Sequence, residues 1–469
     1  MAKNESFDVI VVGAGVGGCC AATIAAKGGL NTLLIDRLAK EDVGKKICGD
    51  GVAKNHIDFV EKNLGLKFGA ELGNFVTGID LYSPDLQTKL EMNDSGYILD
   101  RPRFGQRLMQ EAIKAGTNFR ERCLAVDLTY DDSRVAGVMY RNQAEGTAKK
   151  VTAKLVIEAT GVVGTLKRKL SVPHHMEVDV DKADLELTYR ENRILNGSEI
   201  DPNRAIIDFN QKYAPGGYTW LFPKGKDKVN VGLGIKGTRS EKPQTYLAQY
   251  YKENEKFGGL FKDSTVDLGD EGRDFPFGAA SWSVTVRRQN DCLVGPGFMI
   301  LGDTAWVPNP VSAGGIGPAL DGGVLAGKTA VRAVQENDVS EGNLWEYNVN
   351  YFKHYGSKTP PLEAFRIFLQ SLGDKQLNYG MRHFITSYEI DKISIGETPH
   401  IGALSKLQKL LWSIGDMHSF RGLLYSRKKM KELGALYEAY PQKPEDFPAW
   451  KQRVNSVLGE VRSRFAAAS

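Results

Sequence analysis

Residues 7–18 read Phe-Asp-Val-Ile-Val-Val-Gly-Ala-Gly-Val-Gly-Gly, and this stretch decides the fold. The apolar, β-branched run at 7–12 ends at a glycine, which is typical of a buried parallel strand. Residues 16–27 continue as a helix of small residues, and residues 31–36, Asn-Thr-Leu-Leu-Ile-Asp, form a second strand. A strand, a helix and a second strand in this order predict a βαβ unit that opens a doubly wound α/β domain.

The glycine spacing at the first strand–helix turn predicts a dinucleotide site. Gly13 permits the tight turn, Gly15 lets backbone approach a pyrophosphate, and Gly18 permits close packing of helix on strand. The helix N-terminus supplies N–H donors to the phosphates. Asp36, at the end of the second strand, is expected to accept the ribose hydroxyls of the adenosine. The alternative is a glycine-rich turn that holds no ligand.

A second Gly-Asp pair far along the chain favours FAD over a nicotinamide. Gly302 and Asp303 follow the buried-strand pattern Phe-Met-Ile-Leu at 298–301. A carboxylate at a strand end can hold the ribityl hydroxyls of FAD. The glycine-rich helix start at 310–317 then faces the flavin ring, where its N–H groups stabilise negative charge. In the alternative reading these glycines only cap a packed helix.

The residue pattern of the remaining chain predicts the domain organisation. Alternating strands with Pro and Gly between them indicate an antiparallel sheet, and the residues beyond it have a helical pattern. The expected fold class is α/β, a Rossmann-type FAD-binding domain with an inserted antiparallel β-sheet substrate domain and a C-terminal helical part. The expected segments are 1–184 and 289–342 for the FAD-binding domain, 185–288 for the substrate domain and 343–469 for the helical domain.

Composition excludes several classes of protein. The 469 residues are 42% hydrophobic and 25% charged, which excludes a disordered or coiled-coil chain. Five cysteines without a CxxC spacing argue against a disulfide framework, and no zinc, haem or iron–sulfur spacing appears, so no metal is expected. A net charge of +4 gives no reason to expect nucleic acid.

Two further motifs carry a resemblance to a known family. Residues 45–51, Lys-Lys-Ile-Cys-Gly-Asp-Gly, resemble the KxxCGxG motif of geranylgeranyl reductases. Residues 218–223, Tyr-Thr-Trp-Leu-Phe-Pro, with Gly-Leu-Gly at 232–234, are similar to that family's YxWxFP…GxG motif. Together with the glycines at 13–18 and the Gly-Asp pair, they resemble this branch of the para-hydroxybenzoate-hydroxylase-type flavoproteins over roughly residues 7–345. The archaeal members, which saturate the isoprenoid chains of ether lipids, are the most similar.

The resemblance implies a cofactor, a reaction and a set of contacts. The reaction is saturation of the isolated double bonds of geranylgeranyl chains in membrane ether lipids or prenyl diphosphates, by flavin hydride transfer plus protonation. The electron donor is expected to be NAD(P)H or a ferredoxin-like protein. The FAD contacts that the resemblance implies are Gly18, Asp36, Cys48, Gly49, Gly51, Arg103, Ala125, Asp303, Gly315 and Ile316.

Four residues are candidates for contact with the reacting groups. Tyr218, Trp220 and Phe222 alternate along a strand and therefore share one face. Facing the flavin they would form an aromatic wall for an isoprenoid, and the alternative is an ordinary core face. Cys48 follows two lysines, an electropositive setting that lowers a thiol pKa. It is the candidate for a catalytic residue that tunes the flavin or supplies a proton, against the alternative of a small residue that packs the ring.

Two other functions stay open from the sequence. One is a flavin monooxygenase acting on an apolar substrate, although Thr160 and Gly161 stand where hydroxylases usually carry an Asp-Gly pair. The other is a non-catalytic prenyl-lipid carrier with structural FAD. These alternatives differ in oxygen consumption and in whether the bound lipid is changed.

The sequence predicts a cytoplasmic protein that contacts a membrane peripherally. No run of 18 apolar residues and no apolar leader is present. Four apolar residues at helical spacing, interleaved with Lys406 and Lys409, predict either a solvated helix or a face that meets an anionic membrane. These apolar residues are Leu404, Leu407, Leu411 and Ile414.

Overall fold

The computed structural model describes residues 5–269, 278–394 and 415–465. Its helices are α1 Val16–Lys27, α2 Lys54–Leu64, α3 Arg101–Lys114, α4 Pro243–Glu253, α5 Ile316–Gln335, α6 Glu341–His354, α7 Thr359–Leu369, α8 Asp374–His383, α9 Ser387–Ser394, α10 Met417–Glu438 and α11 Phe447–Phe465. Its strands are β1 Glu5–Val12, β2 Thr32–Ile35, β3 Gly51–Ala53, β4 Asn74–Val76, β5 Gly78–Tyr82, β6 Lys89–Met92, β7 Gly96–Ile98, β8 Asn118–Arg120, β9 Cys123–Asp131, β10 Arg134–Asn142, β11 Ala148–Glu158, β12 Leu185–Ile194, β13 Arg204–Asp208, β14 Thr219–Pro223, β15 Lys228–Lys236, β16 Thr265–Val266, β17 Ala279–Thr285, β18 Val294–Gly295 and β19 Phe298–Ile300.

The first sheet is built on the βαβ unit that the sequence predicts. Its strand order is β18-β19-β11-β1-β2-β8, with β10 and β9 added beside β11. β1 lies between β11 and β2, and all three run parallel. Small residues let α1 and α5 pack closely against each other: a Cβ placed on Gly323 of α5 would lie 2.2 Å from the carbonyl oxygen of Gly17 of α1. The carboxyl ends of β1, β2 and β19 therefore open toward one edge, where a ligand binds in this class of fold.

Helix α3 begins earlier than the sequence pattern predicts. The apolar periodicity predicts a start at Arg103, whereas the helix begins at Arg101. Asp100 caps it, because its carboxylate accepts a hydrogen bond from the backbone N–H of Arg103 at 3.3 Å, and Pro102 occupies the first turn. This start decides which of the two arginines faces the interior.

The second sheet is larger than the segment 185–288 expected for it. Its strand order is β16-β12-β15-β14-β13-β5-β6, with β17 on the other side of β12. β5 and β6 come from the first segment of the chain, and β5 pairs with β13 in parallel. The antiparallel sheet predicted within 185–288 is therefore extended at this edge by a remote hairpin, β5 and β6.

The C-terminal helices are joined to the body by buried ion pairs. Arg288 Nη2 lies 2.8 Å from Asp291 Oδ2, and Arg288 Nη1 lies 3.0 Å from Glu363 Oε2 on α7. Helix α11 adds Lys451, which pairs with Asp291, and Arg462, whose Nη2 lies 2.6 Å from Glu363 Oε1. Burial opposes ionisation of Asp291, but Arg288 and Lys451 hold its pKa well below the usual range. This ion cluster fixes α11 to the FAD-binding domain.

The expected membrane-facing residues lie outside the described part of the chain. Leu404, Leu407, Leu411 and Ile414 all fall between residues 394 and 415. Among the residues that the structure describes, no helix combines the length and apolar character needed to cross a membrane.

Candidate functional site

Two adjoining cavities open at the carboxyl edge of the first sheet. The larger, about 350 Å³, lies between the start of α1, the end of β2 and α3. The smaller, about 160 Å³, lies between the loop 46–51, the start of α5 and strand β14. Both are lined by Val16, Lys46, Ile47, Arg101 and Trp282, so they form one continuous site.

The glycines of the first turn have different surroundings. A Cβ on Gly18 would lie 1.9 Å from the carbonyl oxygen of Gly13, so Gly18 permits the close packing of α1 on β1. A Cβ on Gly15 would meet no protein atom within 4 Å, since this residue lines the larger cavity. Gly13 itself adopts φ +108°, which favours glycine. Gly15 thus leaves room for a ligand, while Gly18 shapes the turn.

Asp36 is held rigidly at the wall of the larger cavity. Its Oδ2 accepts a hydrogen bond from the backbone N–H of Ala14 at 2.6 Å, and its Oδ1 accepts one from Leu38 at 2.8 Å. Burial raises the pKa of Asp36, and these two donors oppose that shift. Each carboxylate oxygen keeps a lone pair for a further donor. The geometry suits the ribose hydroxyls expected here.

Arg101 tests whether an anionic dinucleotide fits this site. The residue is buried, and its Nε and Nη1 have no hydrogen-bond partner among the described residues. The indole Nε1 of Trp282, at the same junction of the two cavities, also lacks a partner there. Unpaired buried donors are costly, and a guanidinium suits a phosphate oxygen in particular. A bound pyrophosphate would satisfy these donors, so the residues present fit FAD.

The structure places Arg101, and not Arg103, at the cavities. Arg103 lines neither of them, its side chain is 69% exposed, and its Nε lies 3.4 Å from Asp100 Oδ2. The contact from Arg103 stays a prediction, and the structure adds Arg101 as a second candidate for contact with the cofactor. The two residues stand two positions apart in the first turn of α3, on different faces of the helix.

The smaller cavity has the start of α5 on one side. No side chain caps this helix at Gly315, and Gly315 and Ile316 line the cavity. Asp303 lies in the single turn Gly302–Ala305, and its Oδ2 accepts from Lys46 Nζ at 2.8 Å. The free N–H groups and the positive end of the helix dipole face a ligand placed here. This arrangement is suited to the electron-rich edge of a flavin.

The opposite side of the smaller cavity is aromatic. Tyr218, Trp220 and Phe222 all line it, with neighbouring ring centroids 6.3 Å apart. Glycines of the two motifs make room for these rings. A Cβ on Gly49 would lie 2.9 Å from Phe222 Cε2, and one on Gly232 would lie 2.5 Å from Trp220 Cζ2. The two motifs therefore interlock across the cavity.

Cys48 stands in a buried polar network that the sequence did not suggest. Its thiol donates to Asp50 Oδ1 at 2.9 Å, and Asp50 Oδ2 lies 2.8 Å from Lys224 Nζ. Asn230 Nδ2 donates to Asp50 Oδ2 at 2.9 Å, and Asn230 Oδ1 accepts from Trp220 Nε1 at 2.9 Å. The network connects the thiol to the aromatic wall.

The expected lowering of the thiol pKa is wrong. Burial, reinforced by the carboxylate of Asp50, raises the pKa of Cys48 to about 11. The two lysines that precede it in the sequence turn elsewhere, since Lys45 pairs with Asp42 and Lys46 with Asp303. Cys48 is therefore a protonated thiol at neutral pH, which suits a proton donor and not a nucleophile.

Most of the predicted site residues come together in the structure. Those that line a cavity are Gly13, Gly15, Asp36, Cys48, Gly49, Gly51, Ala125, Asp303, Gly315, Ile316, Tyr218, Trp220 and Phe222. Gly18 and Gly302 support the turns behind it. Sequence reasoning missed Arg101, Asp50, Lys224, Asn230 and Trp282. Asp50 lies inside the KxxCGxG motif and Lys224 directly follows the second motif, so proximity to the motifs was an available signal for these two.

Comparisons with known proteins identify the family. The family model described as geranylgeranyl reductase catalytic domain matches residues 184–268, and that described as FAD dependent oxidoreductase matches residues 8–186. A protein of Sulfolobus acidocaldarius named digeranylgeranylglycerophospholipid reductase is 33% identical over 98% of both chains. The chain belongs to the geranylgeranyl reductase family. A relative of the same name from Methanosarcina acetivorans is 32% identical over 73% of this chain and 79% of its own length.

Solved structures place the fold in the same group. A geranylgeranyl bacteriochlorophyll reductase-like protein of Thermoplasma acidophilum has a TM-score of 0.72 and 25% identity, covering 90% of this chain and 99% of that one. The myxobacterial halogenase CndH, at 18% identity and a TM-score of 0.64 over 88% of this chain and 91% of its own, shares the fold alone. The expected family, fold class, enzyme class and FAD cofactor are confirmed for this member of the geranylgeranyl reductase family.

Proposed function

We propose that this protein is an FAD-dependent reductase that saturates the isolated double bonds of geranylgeranyl chains carried by membrane ether lipids. The observation that carries the proposal is the smaller cavity, in which Tyr218, Trp220 and Phe222 face the start of α5. The names of the relatives in Sulfolobus and Methanosarcina support the same substrate class.

The chain's own residues divide the work of the reaction. FAD, when bound and reduced, supplies a hydride. The aromatic wall holds an apolar double bond against the flavin side of the cavity and excludes water, which an unactivated alkene requires. Cys48, a protonated thiol on the cavity wall, supplies the proton for the second carbon. Arg101, Asp36 and Asp303 bind and orient the cofactor.

The electron donor and the location are further parts of the proposal. The donor is NAD(P)H or a ferredoxin-like protein, and the protein acts on the cytoplasmic face of the membrane that holds its lipid. One face of α10 supports a peripheral contact, since Met417 and Leu424 are 39% and 46% exposed beside the exposed Arg421 and Lys428. Exposed apolar side chains among cations suit an anionic lipid surface.

An anaerobic turnover experiment tests the reductase activity. The purified protein with FAD is reduced with dithionite and mixed with a digeranylgeranylglycerophospholipid in detergent, while flavin absorbance and product mass are followed. We expect re-oxidation of the flavin together with a mass gain of two units for each double bond. Geranylgeranyl diphosphate, tested in parallel, shows whether the lipid or its precursor is the better substrate.

The other two functions give different results in the same vessel. A flavin that stays reduced until air enters, followed by a gain of one oxygen in the product, identifies a monooxygenase. A lipid recovered unchanged under both conditions identifies a carrier. Flotation with anionic and neutral vesicles tests the membrane contact separately, and equal recovery on both kinds of vesicle contradicts it.

A further inference from the structure

The polar network behind Cys48 is longer than a single protonation of the substrate requires. It extends from the thiol through Asp50 to Lys224, whose side chain is 21% exposed, while that of Asp50 is 2% exposed. Each link is a direct contact, 2.9 Å from Sγ to Oδ1 and 2.8 Å from Oδ2 to Nζ. The thiol on the cavity wall is thus connected by side chains to a lysine that is partly exposed at the protein surface.

The backbone of the motif is shaped to keep Asp50 in this position. Asp50 adopts φ +64°, a left-handed conformation that aspartate tolerates better than most residues. Its carbonyl oxygen accepts the N–H of Leu99, and Leu99 in turn accepts a hydrogen bond from Lys224 Nζ at 2.8 Å. Lys224 therefore uses two of its three N–H donors on protein groups, which leaves the third for solvent.

The loss of a proton from Cys48 would place two negative charges next to each other, and the cationic residues around them offset the repulsion. A thiolate at Sγ would face the carboxylate of Asp50 at 2.9 Å, and like charges at this distance repel. The cationic groups around the pair are Lys224 after β14, Arg190 on β12 and Arg101 on α3. Burial opposes ionisation of Asp50, but Lys224 and Arg190 keep its pKa below the usual value. Only Lys224 among these cations combines contact with Asp50 and a proton that it can release, because an arginine stays protonated.

We propose that Lys224 and Asp50 form a proton relay that returns a proton to Cys48 after each double bond is reduced. The inference rests on the proposed function of the site. When the S–H bond breaks and the new C–H bond forms, Lys224 transfers a proton from Nζ to Oδ2 of Asp50. A half-turn of the carboxyl group presents that proton to Sγ, where the S–H bond forms again. Lys224 then takes a proton from water, so one proton enters for each double bond saturated.

The relay explains a requirement of a substrate with several double bonds. An isoprenoid that fills the smaller cavity would separate the thiol on its wall from bulk water. Cys48 can then protonate one double bond from its resting state, but each later one requires a new proton. Lys224 lines neither cavity, and Asp50, which lines the smaller one, acts through Cys48 in this account.

The test separates the first double bond from the later ones. Holoenzyme kept reduced with excess dithionite is mixed with a digeranylgeranylglycerophospholipid in detergent, quenched at intervals, and the two-unit mass steps are counted. In Lys224→Met we expect one reduction per active site at nearly the wild-type rate, followed by steps at least tenfold slower. Lys224→Arg should show the same burst, because it keeps the ion pair but does not release a proton. Lys228→Met, which removes a lysine paired with Asp267, is the matched control and should resemble wild type.

Each other outcome overturns the relay in a distinct way. If Lys224→Arg reduces every double bond at the wild-type rate, only the charge matters and no proton passes through this residue. If the first step slows as much as the later ones, the residue positions the thiol and does not reload it. If the wild-type protein itself produces no mass gain, the proposed function fails and the relay fails with it.

A second measurement needs no turnover. The rate at which iodoacetamide alkylates Cys48 in the holoenzyme is followed against pH by peptide mass. Asp50→Asn removes the carboxylate that raises the pKa of the thiol, so alkylation at about pH 9 should accelerate at least fivefold. A rate equal to that of wild type and of Lys228→Met shows that Asp50 and Cys48 are not coupled, which also overturns the proposal.

Discussion

Gly15 and Gly18 belong to one fingerprint, yet the structure predicts opposite consequences of replacing them with alanine. Alanine fits the backbone of Gly15, which has φ −67° and ψ 177°, and its Cβ meets no protein atom within 4 Å. Gly15→Ala should therefore leave the FAD-free protein intact. The Cβ of Gly18→Ala would lie 1.9 Å from the carbonyl oxygen of Gly13, so backbone must move.

These distances set the expected magnitudes. A methyl group in open space changes the free energy of unfolding by less than about 0.5 kcal/mol. Forcing one into packed backbone costs about 1–3 kcal/mol. The effect on FAD binding falls on the other glycine. The methyl group of Gly15→Ala occupies the cavity where a pyrophosphate approaches, so we expect FAD to bind at least about tenfold more weakly, about 1.4 kcal/mol.

Two assays on the same proteins separate the effects. Denaturant unfolding of the FAD-free proteins should place Gly15→Ala with wild type and Gly18→Ala below both. Titration with FAD, followed by quenching of flavin fluorescence, should show weaker binding by Gly15→Ala although its fold is unchanged. If Gly15→Ala binds FAD as wild type does, no ligand backbone approaches this glycine, and the assignment of the larger cavity to the dinucleotide is refuted.

Three further predictions address the cofactor, the substrate wall and the pH dependence of stability. Arg101→Met should weaken FAD binding by about 10–100-fold, as loss of a charged hydrogen bond predicts, while Arg103→Met should stay within about threefold of wild type in the same titration. Equal effects would show that lining the cavity does not decide which arginine binds the cofactor. Trp220→Ala should retain FAD, but its rate of prenyl reduction should fall at least tenfold. Unchanged turnover would show that Trp220 only packs an ordinary core face. Burial raises the pKa of Glu186 from 4.5 to about 7. The folded protein therefore holds a proton there that the unfolded chain releases. The stability that this proton provides is fully present below pH 4.5 and is lost as the pH rises to 7. Glu186→Gln should therefore lessen the fall in unfolding midpoint between about pH 5 and pH 8, and a fall as steep as in wild type argues against a buried neutral carboxyl.

Local patterns in the sequence were sufficient where local geometry decides the structure. Helix α1 has the predicted bounds, Val16–Lys27, because its small residues and the preceding glycine turn are contiguous. The pairing of β5 with β13 was not predictable in this way. The two strands are more than 120 residues apart, and neither contains a signal for its partner.

Two features of the site have the same limit. The sequence pattern did not show that Arg101 lines the cavities, because this depends on where α3 begins. The prediction for Cys48 counted the lysines adjacent in sequence, whereas its pKa depends on burial and on Asp50 in space. That Tyr218, Trp220 and Phe222 share one face could be predicted, because alternation along a strand puts alternate residues on one face. Their role as a substrate wall came from the motif and stays a prediction.

The buried ion cluster determines how this protein can be recombined with its relatives. Asp291 lies fully buried in the body and Glu363 fully buried on the C-terminal helix α7, and two of their partners, Lys451 and Arg462, come from the last helix. Removing one partner of a buried pair costs about 3–5 kcal/mol, a large share of the 5–15 kcal/mol that holds a native protein together. A chimera that takes its C-terminal helices from another family member must therefore inherit matching charges at all four positions. The C-terminal helices and the domain that binds the cofactor are therefore best exchanged together, because the charges of the one must match those of the other.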